Sequence, residues 1–138
     1  MSVIKSKNNV FNESRKKDVP ICKLDTNCLT VIIFNADTQT EEYHTFHSDY
    51  IKYHVHYVAA KYKERLQKYV DNGTILEYLS DLEVKAIETE NRQVERWKKS
   101  DKEYLSAIES GDERKQIGLL NNMNYREREI VLDCMIYV

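Results

Sequence analysis

The sequence predicts an α+β chain in which helix dominates: an N-terminal β-hairpin of two or three strands packed on a body of three or four helices. Three observations predict it. The run Leu29-Thr30-Val31-Ile32-Ile33-Phe34 is apolar and β-branched, and a second alternating run from Thr38 to Phe46 follows the turn residues Asn35-Ala36-Asp37. After Phe46 the hydrophobic period switches from two to 3.6. Helix start and stop signals then recur to the end of the chain. The 138 residues suit one sizeable core, and a net charge of −2 excludes a uniformly basic nucleic-acid coat.

Taken in order, residues 1–18 are rich in Asn, Ser, Lys and Arg and show no periodicity, which predicts a flexible basic arm. Lys5, Lys7, Arg15, Lys16 and Lys17 against Glu13 and Asp18 give it a net +3. Residues 19–138 are expected to form a single domain, with 19–47 as the hairpin and 48–138 as the helical body. Ile21 to Leu24 is a candidate third strand. Such a hairpin is marginal alone, so its apolar face must pack on the helices.

Ser48 can cap a helix in which Ile51, Val55, Val58, Tyr62, Leu66 and Tyr69 recur at helical spacing. The expected span is Asp49 to Asp71, stopped by Asn72-Gly73. Thr74-x-x-Glu77 has the form of a capping box opening a helix that runs towards Trp97, whose indole is expected to seal the end of the core. Ser100-x-x-Glu103 opens a short segment ending at Gly111, and Asp112 starts the last helix.

No stretch approaches the ~18 consecutive apolar residues of a membrane span, and no apolar leader follows the basic N-terminus. Cys22, Cys28 and Cys134 make an odd count without C-x-x-C spacing, which suits a reducing, cytoplasmic setting. No cofactor is expected.

The last third reads Gln116-Ile117-Gly118-Leu119-Leu120-Asn121-Asn122, then Arg126-Glu127-Arg128-Glu129-Ile130-Val131-Leu132-Asp133, closing on Ile136-Tyr137. Earlier, Asn72-Gly73-Thr74-Ile75-Leu76-Glu77-Tyr78-Leu79-Ser80-Asp81-Leu82 is followed by the small residue Ala86. Over roughly residues 70–138 this pattern resembles the TnpV family of small transposon-encoded proteins. Gln116 stands where that family usually has Trp, and Cys134-Met135 where it has Glu-Leu. The resemblance implies an accessory protein of a bacterial mobile element and carries over no active site. Small proteins of such elements often counter host defence, so the resemblance makes a Cas effector, or its ribonucleoprotein, an expected protein partner. A DNA- or RNA-binding regulator of transposition or transcription is the alternative.

The candidate partner-binding surface is the far side of the first helix. On a wheel of about 100° per residue the apolar stripe faces the core, leaving Tyr50, Tyr53, His54, Tyr57, Lys61, Arg65 and Lys68 opposite it. Grouped tyrosines beside cations can anchor a protein interface, stack on bases, or pack on a second copy of the chain in a homodimer. Residues 51–70 carry five basic groups against Glu64, whereas 71–110 carry ten acidic against six basic, so two successive helices differ in sign.

Two patterns in the sequence have the residue types of metal sites. His54-Val55-His56 resembles the paired histidines of HUH nucleases, whose tyrosine attacks a DNA phosphate. In a helix, however, these two side chains lie about 200° apart. Cys22, Cys28, His44 and His47 could supply zinc ligands, but C-x5-C lacks the tight spacing of structural zinc sites. Glu88, Glu90 and Glu95 read as a solvated face. No Gly-rich phosphate loop, G-x-S-x-G or H-E-x-x-H is present, so a non-enzymatic protein is expected.

Overall fold

In the computed structural model, residues 3–138 are described. Six short strands precede five α-helices. The strands are β1 (Val3–Lys5), β2 (Asn9–Asn12), β3 (Lys17–Pro20), β4 (Cys22–Asp25), β5 (Thr30–Asn35) and β6 (Thr40–Thr45). The helices are α1 (Asp49–Lys61), α2 (Lys63–Asp71), α3 (Ile75–Ser100), α4 (Lys102–Ser110) and α5 (Glu113–Val131), with a π-helical turn at Leu132–Ile136. The chain is thus α+β with an antiparallel N-terminal sheet, and it carries more strands and helices than the sequence patterns suggest.

Four strands form one sheet in the order β1-β4-β5-β6, while β2 and β3 pair as a separate ribbon. The β4–β5–β6 meander is the expected hairpin with its third strand. Leu24 faces Val31 and Val31 faces His44 across the ladder. Cross-strand neighbours share a face, so Cys22, Leu24 and Val31 lie on the side that packs with Ile51, Val55, Val58, Leu66, Val70, Ile75 and Leu79 into the main core.

The flexible arm is corrected from Val3 onward; Met1 and Ser2 lie outside the described residues. β1 pairs with β4, and Ile4 is buried in the core beside Leu24. Asn12 closes the β2–β3 turn by accepting the Arg15 N–H at 3.1 Å, and Lys16 takes a φ of 53° there. Strands of three or four residues show too little alternation to stand out from polar sequence, and β1 is held by the ladder that β4 offers it and by Gln67 of α2, whose Nε2 donates to the Lys5 carbonyl at 2.7 Å.

The single helix expected over Asp49 to Asp71 is two helices. Tyr62 leaves helical geometry, at φ −138° and ψ 49°, and separates α1 from α2. The break rotates the second half of the segment out of register with the first, which a wheel of constant pitch cannot show. Asp101 rather than Ser100 caps α4, accepting the Tyr104 N–H at 3.0 Å, while the Ser100 hydroxyl turns back to the Arg96 carbonyl. Gly111, at φ 69°, ends α4 in the left-handed region open to glycine.

The chain divides into two compact units. One comprises residues up to Glu83 together with Tyr137, and the other residues 84–136 with Val138. The division falls inside α3, not at Val19 or Ser48. Among the described residues no helix is long and apolar enough to cross a membrane.

Candidate macromolecule-binding face

The site begins with a helix that is buried more widely than its apolar stripe indicates. Ile51, Val55 and Val58 are essentially inaccessible, but so are Tyr50 and His54, at 7% and 1% exposure. Together they cover an arc of about 140° at 100° per residue. Both were expected on the open face, and for His54 α3 supplies the polar partner that its burial requires. His54 Nε2 lies 2.6 Å from the Tyr78 hydroxyl, and the Tyr78 ring stacks on Tyr69 at 4.1 Å and 15°. Burial pushes the Tyr78 hydroxyl pKa up, with Arg65 pulling it back, so the phenol keeps its proton at neutral pH.

The break at Tyr62 assembles what remains open. Its amide still donates to the Val58 carbonyl at 2.6 Å, closing α1, and its own carbonyl accepts from Arg65, opening α2. The non-helical backbone between them swings Tyr62 out of the stripe where periodicity places it and leaves it 47% exposed. Its ring centroid then sits 6.1 Å from Tyr57 at 56°, and Tyr57 sits 5.5 Å from Tyr137 at 57°, both tilted pairs. Lys61 Nζ lies 5.2 Å from the Tyr57 centroid, and the Arg65 guanidinium carbon 5.7 Å from that of Tyr62. Three aromatic rings and two cations thus form one half-exposed cluster within the first unit. Each cation over a ring face is held by the ring's negative quadrupole, so the charges are positioned before any partner arrives.

The seven sequence-predicted residues therefore do not form one face. Tyr57, Lys61 and Arg65 are brought together, and Tyr53 is half-buried on the same helix. Tyr50 and His54 are withdrawn into the core. Lys68 lies apart, lining a cleft of about 260 Å³ with Lys7, Glu64, Gln67, Asp71 and Asn72. Sequence reasoning missed Tyr62, assigned to the core by its spacing, and Tyr137, which entered only as part of the terminal pattern that resembles TnpV proteins.

The metal patterns are not assembled. His54 is engaged with Tyr78, whereas exposed His56 directs Nε2 to the Thr26 carbonyl at 3.0 Å. Cys22 is a core thiol whose pKa burial pushes up to about 11, and Cys28 is exposed in the β4–β5 loop. His44 lies 3.7 Å from Glu42, and with His47 it lines an open cleft of about 440 Å³ together with Leu76, Ser80 and Glu83. Among the described residues no three His, Cys, Asp or Glu side chains converge on a point that could hold a metal ion. Trp97 is half-buried in the second unit, where the Arg126 guanidinium covers its ring at 4.3 Å.

Fold and site together define an α+β chain carrying a preformed aromatic and cationic cluster at a helix break. No protein-family model matches the chain, nor does any curated protein or solved structure.

Proposed function

We propose that this chain is a non-catalytic accessory protein of a bacterial mobile element that acts by binding another macromolecule, and that its target is the effector nuclease of a CRISPR system or that effector's ribonucleoprotein. One observation carries the binding reading: the half-exposed cluster of Tyr57, Tyr62 and Tyr137 held with Lys61 and Arg65. Tyrosine offers large contact area at small entropic cost, and an arginine or lysine in the same patch supplies directed charge. The resemblance of residues 70–138 to transposon-encoded proteins supplies the setting and the expected target.

The test is co-elution of the chain with purified effector on size exclusion, with target cleavage assayed alongside. Tyr57→Ala/Tyr62→Ala is the informative variant, because Tyr50 is a core residue whose loss would report on folding. The double variant is expected to weaken binding about tenfold or more while keeping its helical circular dichroism. Absence of a complex with effectors counts against the reading. The same cluster would serve the alternative, a nucleic-acid-binding regulator, by stacking bases on its rings. Oligonucleotide affinity that falls steeply with salt and drops in the double variant would favour it.

A further inference from the structure

β6 is an edge strand, last in the order β1-β4-β5-β6, and five of its six residues are exposed. Its outer main-chain groups have no strand beside them among the described residues, and its last residues, Tyr43, His44 and Thr45, line an open cleft with Leu76, Ser80 and Glu83. An edge of this kind is a template for another strand.

Which groups point outward follows from the ladder. The Phe46 amide donates to the Leu29 carbonyl at 2.9 Å, so Phe46, His44, Glu42 and Thr40 turn their main-chain groups to β5. Thr30 and Thr45 fit the same phase: their hydroxyls meet at 2.9 Å, as in the closer, non-bonded pairs of an antiparallel ladder. Glu41, Tyr43 and Thr45 therefore point their N–H and C=O groups away from the sheet.

Opposed residues of an antiparallel pair both face the seam or both face away. A two-fold axis relating two copies of β6 must then pass through a residue, never between two. Centred on Glu42, it sets carboxylate against carboxylate. Centred on His44, it sets imidazole against imidazole and Glu42 against Phe46. Centred on Tyr43, it sets Glu42 against the partner's His44 on each side of the axis, Tyr43 against the partner's Tyr43, and Glu41 against the partner's Thr45. Glu41 has Arg15 at 3.6 Å and the Tyr43 hydroxyl as partners, whereas Glu42, 64% exposed, has His44 of its own strand at 3.7 Å, an exposed pair that the Tyr43-centred register can exchange for the same pair across the seam.

We propose that β6 is a self-association edge: two copies join antiparallel with the axis through Tyr43, making one continuous eight-stranded sheet held by about six main-chain bonds and two Glu42–His44 pairs. One strand edge buries little area, so the dimer is reversible and depends on concentration.

Sedimentation velocity of the full chain up to about 1 mM tests this. The wild type is expected to pass reversibly from monomer to dimer. Tyr43→Pro removes an outward N–H that bonds nothing in β5, so it should remain folded by circular dichroism and stay monomeric. Glu42→Lys should weaken the dimer about tenfold or more, and Glu42→Lys/His44→Glu should restore it to within about threefold by rebuilding the pair across the seam with its two positions exchanged. A wild type monomeric at every concentration overturns the proposal. So does a dimer indifferent to Tyr43→Pro, which would lie on another face, or one that the charge exchange fails to restore.

Discussion

His54 shows how one buried polar atom ties two helices. Its buried Nε2 meets the hydroxyl of half-buried Tyr78, so each satisfies the other. Tyr78→Phe keeps the ring and its stack on Tyr69 but leaves the imidazole nitrogen without that bond. The expected cost is about 1–3 kcal/mol, read by urea unfolding. A loss below a few tenths would mean that His54 finds another partner. Glu127 on α5 is the opposite case. It is inaccessible, and neither carboxylate oxygen has a hydrogen-bond partner among the described residues. Burial raises its pKa, and Glu90 raises it further. A folded state that holds the proton more tightly than the unfolded chain is favoured at low pH, so the stability linked to this group is complete below the ordinary value of 4.5 and is lost as pH rises through the folded value. Glu127→Gln removes that dependence: its unfolding free energy should gain on the wild type as pH rises above 4.5. Parallel pH profiles for the two proteins would refute this.

At the scale of elements, caps and breaks determine more than propensity does. Asp112 accepts the Lys115 N–H at 3.1 Å and caps α5, a role its position after Gly111 predicts. Asp112→Ala should cost about 1 kcal/mol, measured as a fall in melting temperature. The interruption at Tyr62 had no such sign. The segment from Lys61 to Arg65 contains neither proline nor glycine, and its apolar period runs on unbroken, so a continuous helix is the local expectation. Local preference reports what each turn can form by itself; the break reports what α1 and α2 must do to keep Val58 and Leu66 in the same core. The site inherits this difference. Tyr57, Lys61 and Arg65 were legible as an amphipathic far side, whereas Tyr62 and Tyr137 joined them only through the break and through a return of the chain end.

At the scale of the whole molecule, the two units differ in core. The first gathers leucine, isoleucine and valine from the sheet and from α1, α2 and the start of α3. The second buries Ala86, Val94, Ala107, Met123, Val131 and Ile136 but leaves Ile108, Ile117 and Tyr125 at 48%, 61% and 64% exposure. Local opening is easiest where few apolar contacts are lost. Hydrogen exchange is therefore expected to be faster for amides of α4 and α5 than for those of β4, β5 and α1. Equal protection in both units would contradict that ordering.

The sequence by itself determined the class of fold, the meander from Cys22 to Thr45, the stops at Gly73 and Gly111 and the start of α5, because periodicity, turn chemistry and capping act within a few residues. Only the tertiary structure decided that residues 3–5, 9–12 and 17–20 are strands, that Tyr50 and His54 are core, and that Tyr62 breaks a helix to join Tyr57 and Tyr137. Each of those outcomes depends on a partner distant in the chain. β4 gives β1 its ladder and Tyr78 gives His54 its bond. A residue's neighbours in sequence carry no record of either.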